Sequence, residues 1–332
     1  MQSNELGANN KRVDHAALHK AYHRALSTTL VGAEEPLDRL QIKGADRFDL
    51  LERLSTNTFK TQDPGSHMRT ALLEPNGRLI DLLDVFIRED SLELFISKDN
   101  AETVETWLKD HIFFQDDAQV KRMDPCPAIV TVLGPAVDEL LEIHFGTSLK
   151  FNKDRFYSVK GALILPIRWS KVSGYRMIAR YEEVAERLSG LLDPLNSAAE
   201  QQAIEALRIE AGIPKRGHEI RPGVIPLEVG LSEAVSFSKG CYVGQEVIAR
   251  LESRGELAGR LAGIRLSAPA VPELALEQAG RTIGTLTSCA LSPENGWIGL
   301  GIVRTRRWDP SSGDLTIQGS SFSFTELPFN PA

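Results

Sequence analysis

Lys239-Gly240-Cys241-Tyr242-Val243-Gly244-Gln245-Glu246 holds one thiol, a neighbouring cation, two glycines and a Gln-Glu pair within eight residues. Just downstream, Val247, Ile248 and Leu251 fall at helical spacing. The motif therefore reads as a turn that feeds a helix N-terminus. Gly240 and Gly244 leave that turn free to adopt positive φ or to approach another group closely. A thiol there lies near unpaired amides and the positive end of a helix dipole, with Lys239 beside it, and each favours thiolate over thiol. Cys241 is thus a candidate reactive or ligand-forming group. The alternative is a small buried hydrophobe.

The totals narrow the classes open to the chain. At 332 residues it is long enough for two or three units with substantial cores. A net charge of −7 argues against a general electrostatic grip on nucleic acid, so no stable nucleic-acid binding is expected. Cys126, Cys241 and Cys289 are odd in number and widely spaced, which fits a reducing compartment better than a disulfide framework. There is no CxxC and no Cys/His cluster, so no metal site is assigned. Apolar runs such as 128–133 and 162–167 are too short to span a bilayer, and the polar start of the chain is not a signal peptide. The expected setting is cytoplasmic, away from membrane.

Upstream of the motif the pattern is mixed. Residues up to about Asn10 read as a loose tail. Ala17, Leu18, Ala21, Tyr22 and Ala25 mark one face of a helix, and His15, His19 and His23 read as a solvated face of it. A strand over 40–43 precedes a helix capped by Asp46, with Phe48, Leu51 and Leu54 buried. Strands over 68–73 and 79–88 flank Asn76-Gly77, a hairpin signal in which both residues must tolerate φ > 0. Asp81 lies among apolar neighbours just beyond, where a carboxylate is costly unless paired; a surface strand position is the alternative. A strand over 92–97, a helix over 101–110 and a strand over 120–123 follow. Cys126, between two prolines, reads as incidental. A second α+β run then opens, with strands over 128–133, 157–159, 162–167 and 175–179 and helices over about 136–145 and 182–192. The irregular alternation favours α+β over a doubly wound sheet.

A helix over 197–211 carries Arg208-Ile-Glu210-Ala-Gly212, with Ile204, Leu207 and Ala211 inward and Gly212 as its stop. Glu210 is a carboxylate able to accept two parallel N–H bonds, or else half of a surface Arg–Glu pair. Residues 213–238, rich in Pro and Gly, form a long ordered loop that includes Glu228. Beyond 255 the chain breaks into short alternating runs over 261–266, 282–286, 297–303, 315–317 and 322–327, the pattern of a small antiparallel barrel. The Arg304-Thr-Arg-Arg-Trp308 loop reads as a solvated turn, with contact to phosphate or a glutamyl tail as the alternative.

Lys-Gly-Cys-Tyr-x-Gly-Gln-Glu resembles the signature of the YgfZ branch of the GcvT-like folate-binding proteins. The resemblance extends to Ile42-Lys-Gly-Ala-Asp-Arg-Phe through Ser55-Thr-Asn57, to Arg208-Ile-Glu-Ala-Gly212, to Ile225-Pro-Leu-Glu228-Val-Gly-Leu231 and to Gly284-Thr-Leu-Thr-Ser-Cys289 with Ser292-Pro293. It implies a three-unit ring: a first α+β folate-binding unit over 11–125, a second α+β unit over 126–250 that holds both motifs and can interleave with the first, and a C-terminal β-barrel over 251–332. It also implies tetrahydrofolate, or a one-carbon derivative, in a central pocket. Glu210 would hold the pterin, with Asn57 and Asp81 on the wall, Arg208 and Glu228 beside it, and Cys241 facing the same cavity with Lys239. Partners would be iron–sulfur assembly or client proteins. Aminomethyltransferases of the glycine cleavage system look similar around Asp81 but carry two adjacent aspartates, where this chain has Asp81-Leu82. Three functions follow: a tetrahydrofolate-binding protein supporting iron–sulfur enzymes, an aminomethyltransferase acting as a folate-dependent one-carbon transferase, or a non-catalytic partner-binding module.

Overall fold

The computed structural model describes residues 14–124, 128–147, 149, 152, 154–179, 198–255, 257–309 and 313–329. The expected tail to Asn10, Cys126 and the helix over 182–192 lie outside them. Within them the chain is α+β, built from two five-stranded sheets and a closed six-stranded barrel.

The first sheet comprises β2 (Asp38–Lys43), β3 (His67–Leu73), β4 (Leu79–Ile87), β5 (Ser91–Ile96) and β6 (Gln119–Met123), ordered β3-β4-β5-β2-β6 with antiparallel neighbours. Helices α2 (Arg47–Leu54) and α3 (Ala101–Asp110) cover one face, where Leu50, Leu51, Leu54, Val104 and Leu108 meet Leu83, Val85 and Leu94. Phe86 and Phe95 face the other way, onto Ile129, Leu163 and Ile178 of the second sheet. Every residue of β4 is consequently buried, and its sequence is a continuous apolar run broken only by Asp81 and Asp84.

The second sheet comprises β1 (Leu30–Glu34), β7 (Ala128–Leu133), β8 (Tyr157–Val159), β9 (Ala162–Arg168) and β10 (Ser173–Ala179), ordered β1-β7-β10-β9-β8, with α4 (Val137–Phe145) packed on it. β1 comes from the N-terminal part of the chain and pairs antiparallel with β7. Its five residues Leu-Val-Gly-Ala-Glu show no alternation, so no strand is legible there. Gly32 sits where a Cβ would lie 2.2 Å from Ile204 Cδ1 on α5 (Ala198–Glu210), so glycine admits the helix. The barrel runs β11 (Gly259–Leu266), β14 (Gly296–Arg304), β13 (Arg281–Ser292), β12 (Ala275–Gln278), β15 (Leu315–Ile317) and β16 (Ser320–Thr325). α1 (His15–Ser27) and α5 bind it to the second sheet through a shared core of Leu18, Tyr22, Leu30, Ala203, Ile298 and Leu300.

Local expectations change in three places. Asp46 precedes α2 but makes no capping bond; its carboxylate accepts from Asp117 N at 2.8 Å instead. α2 buries Leu50 with Leu51 and Leu54, while Phe48 packs against the same core only half-buried. In the β3–β4 turn only Gly77 takes positive φ, at 77°, since five residues close the loop through Gly77 N to Glu74 O (2.9 Å).

Asp84 links the two sheets. It is 1 % exposed and lies 3.0 Å from Arg69 Nε, 3.2 Å from His67 Nε2, 2.9 Å from Arg216 Nη2 and 3.7 Å from Arg176 Nη1 on β10. Burial opposes its charge, but Arg69, His67 and Arg216 together outweigh burial and hold the carboxyl well below the usual carboxylate range. With the folded pKa depressed, the stabilisation is complete above the unfolded value of about 3.9 and is lost as pH falls toward the folded one. Asp84→Asn is expected to lower stability by about 3–5 kcal/mol at pH 7. Urea denaturation across pH will also show a shallower acid loss than in the wild type. Equal stability and equal acid slopes would contradict the clamp.

Candidate functional site

The loop after α5 carries two single-turn 3-10 helices, Pro226–Val229 and Ser232–Ala234, and delivers the chain to Lys239. α6 (Gln245–Arg254) starts directly after its cap residue Gly244, which takes a positive φ of 83°. A Cβ there would lie 2.7 Å from Glu74 O, and one on Gly77 would lie 2.8 Å from Val247, so two glycines seat the start of α6 on the β3–β4 turn. Gly240 has open space around it and no positive φ; neither freedom expected of it is used.

Lys239 behaves differently from the expectation. Its ammonium donates to the carbonyls of Glu52 (2.6 Å), Ser55 (2.8 Å) and Asn57 (2.6 Å), and its side chain is 1 % exposed. A cation at the C-terminus of α2 satisfies carbonyls that have no helical partner. Burial pulls its pKa down to about 8, against the pull of Glu52. Lys239 is therefore spent on α2, not on the thiol. Tyr242 packs into the cluster of Ala71, Leu79, Leu82, Val235 and Ile248, while Cys241 between them is exposed.

Asn57 shares this neighbourhood. Its amide donates to Arg69 O (2.9 Å) and Glu233 O (3.1 Å), and its Oδ1 accepts from Thr58 N at 3.0 Å. Asp81 is 2 % exposed, and its Oδ1 accepts from Leu82 N (2.8 Å), Ser97 Oγ (2.7 Å) and Arg216 Nη1 (3.1 Å). Oδ2 accepts from Ser97 N (2.9 Å) and Asn100 Nδ2 (3.0 Å). A carboxylate offers about four acceptor directions, and these five donors leave none open to a proton from elsewhere. The pairing partner that Asp81 required is Arg216, far away in the sequence.

On α5 the two motif residues point to different partners. Arg208 donates to Glu205 (2.6 Å), Ser288 (2.7 Å), Ile213 O (2.5 Å) and Glu219 (3.3 Å), so it pairs with Glu205 and Glu219 and not with Glu210. Glu210, 1 % exposed, accepts from Tyr22 (2.7 Å), Asn295 (2.9 Å) and Ser292, with Lys171 Nζ at 3.3 Å. Glu228 accepts from Gly259 N at 2.9 Å, fixing the loop to β11, and burial pushes its pKa up.

The structure thus brings Lys239 and Asn57 together next to Cys241 and connects Asp81 to them through the loop holding Arg216. Glu210 lies in another packing cluster, formed by α1, α5 and the barrel, and no described contact joins it to Cys241. Tyr22, Lys171, Asn295 and Arg216 had no signal in sequence, since each matters only through a partner distant in the chain, 39 residues away for Lys171 and more than 80 for the other three. Ser292 had one, the Ser-Pro step in the barrel run. Among the described residues no group of three His, Cys, Asp or Glu could hold a metal ion, and no helix is long and apolar enough to cross a membrane.

A family model described as the GCVT N-terminal domain matches residues 34–239, more than half of the chain. A protein of Arabidopsis thaliana provisionally named a chloroplastic transferase is 27% identical over 299 residues, covering 88% of this chain and 69% of the relative. The aminomethyltransferase of Bacillus subtilis is 24% identical over 282 residues, covering 80% and 77%. Among solved structures, the glycine cleavage system aminomethyltransferase T from Bartonella henselae superposes with a TM-score of 0.77 at 18% identity, over 94% of this chain and 89% of that one.

Replacing Lys239 tests its place at the end of α2. Lys239→Met leaves three carbonyls short of a donor and is expected to lower stability by about 1–3 kcal/mol in chemical denaturation. An unchanged midpoint would show that the ammonium does not hold α2.

Proposed function

We propose that this chain, which belongs to the GCVT N-terminal domain family, binds tetrahydrofolate or a one-carbon derivative and supports assembly or repair of iron–sulfur enzymes through Cys241. The motif 239–246 supports placing it in the YgfZ branch. Glu210 has the chemistry that a pterin requires: a carboxylate shielded from water, flanked by the neutral donors Tyr22, Ser292 and Asn295 and by the Lys171 ammonium, suits the parallel N–H groups of the ring amide and its amine. Folate, when bound, supplies a one-carbon carrier. Glu210 would orient it, and Cys241 would act from its exposed loop as nucleophile, redox group or single ligand toward a cluster held by another protein.

The observation that carries this reading over one-carbon transfer is the state of Asp81. The neighbouring position is Leu82, and Asp81 itself is closed by five donors, so no free carboxylate stands where transfer chemistry would use one. A second reading, an aminomethyltransferase, is favoured by the names of the relatives from Bacillus subtilis and Bartonella henselae.

Titration calorimetry with tetrahydrofolate is expected to show binding to the wild type and at least a tenfold loss in Glu210→Ala, in keeping with about two charge-assisted hydrogen bonds. Equal affinities would remove Glu210 from the site. Cys241→Ser is expected to fold and to bind folate as the wild type does, yet fail to restore iron–sulfur enzyme activity in cells lacking the protein. Full restoration would remove Cys241 from the functional site. Rapid formation of methylenetetrahydrofolate from an aminomethylated lipoyl carrier would establish the second reading.

A further inference from the structure

α1 sits closely on α5 because Ala199, Ala203 and Ala206 line the contact and leave room for Leu18, Ala21, Tyr22 and Ala25. The packing brings Tyr22, fully buried, to a hydroxyl–carboxylate distance of 2.7 Å from Glu210 Oε2. Burial, reinforced by Glu210, pushes the tyrosine pKa far up, so the phenol keeps its proton and donates it. Lys171 Nζ stands 3.3 Å from the same Oε2 and 3.3 Å from the tyrosine oxygen. On the other side, Oε1 accepts from Asn295 Nδ2 at 2.9 Å and from the Ser292 hydroxyl. Four donors thus occupy the roughly four acceptor directions of this carboxylate.

A ligand that presents two parallel N–H groups, one to each oxygen, cannot be added to this arrangement. It must displace one donor from each oxygen. Ser292 is braced, since its oxygen accepts from Glu294 N (3.1 Å) and Asn295 N (3.0 Å). Among the described residues no backbone N–H braces the Tyr22 hydroxyl, which meets the Lys171 and Ser292 side chains besides Glu210 and arrives on a separate element.

We infer that Tyr22 is a built-in competitor for Glu210: α1 places a hydroxyl where the pterin edge would bind, and ligand affinity is set by displacing it. This rests on the folate reading and names how that site is regulated. Tyr22→Phe keeps the ring in the helix contact and removes only the competing donor.

The test is tetrahydrofolate titration of the full chain as wild type, Tyr22→Phe and Tyr22→Phe/Glu210→Ala. Tyr22→Phe is expected to bind about tenfold tighter, the equivalent of one charge-assisted hydrogen bond removed from the free state, and the double variant is expected to lose the gain. In the wild type, hydrogen exchange of α1 amides is expected to quicken when the ligand binds. Tight binding by Tyr22→Phe where the wild type binds nothing measurable would support the inference equally. Equal or weaker binding by Tyr22→Phe, with Glu210→Ala still losing affinity, would overturn the competitor and leave the folate site standing. No binding by wild type or Tyr22→Phe would overturn both.

Discussion

A carboxylate on a strand with no solvent-facing side has to find cations, and Asp84 finds them on three different elements. β4 is covered on one face by helices and on the other by the second sheet, so its two acids cannot reach water. Leaving either unpaired would cost several kcal/mol. Arg69 comes from the neighbouring strand, Arg176 from the opposite sheet and Arg216 from the loop after α5. Arg176 also pairs with Glu34 on β1 at 2.6 Å, so the same group of charges secures the N-terminal strand in its sheet. Arg216 bridges Asp84 and Asp81, which fixes the start of the long loop and with it the approach to Cys241.

The end of α5 repeats this logic with a different outcome. Arg208 and Glu210 are two residues apart, so they leave the helix on different sides. Arg208 turns to Glu205 and Glu219, and that pairing holds Glu205 down to about 2 even though burial pushes the other way. Glu210 turns to a phenol on α1, a hydroxyl and an amide of the barrel, and the Lys171 ammonium from the β9–β10 turn. Arginine clamps make Asp81 and Asp84 part of the frame. Glu210 has no arginine partner among the described residues, and that sets it apart from Asp81 and Asp84.

Much of the architecture was legible because periodic segments are long. α3 and the strands β4, β7 and β9 fall within a residue or two of their expected bounds, and the barrel follows from its short alternating runs. Where the reading missed, the reason was range. β1 and β12 are only five and four residues long and depend on partners elsewhere for their form. Local order placed Lys239 beside Cys241, yet its ammonium reaches back across more than 180 residues to three carbonyls at the end of α2 and just beyond it, which hold a cation more firmly than one exposed thiol does. Glu210 stood out through its motif, but Tyr22 looked like one more core position on an amphipathic helix. Its hydroxyl gains meaning only when α1 meets α5.

Asp81 and Asp84 are locked by arginine, whereas Glu210 is held by a phenol, a hydroxyl, an amide and an ammonium, and the proposed pterin site rests on that difference. A crystal structure of the wild-type chain with tetrahydrofolate tests this most directly. The N–H edge of the pterin is expected on Glu210, with the Tyr22 hydroxyl moved off Oε2 and the Asp81–Arg216 and Asp84–Arg216 pairs intact. Folate bound elsewhere, with Tyr22 and Glu210 still 2.7 Å apart, would contradict it.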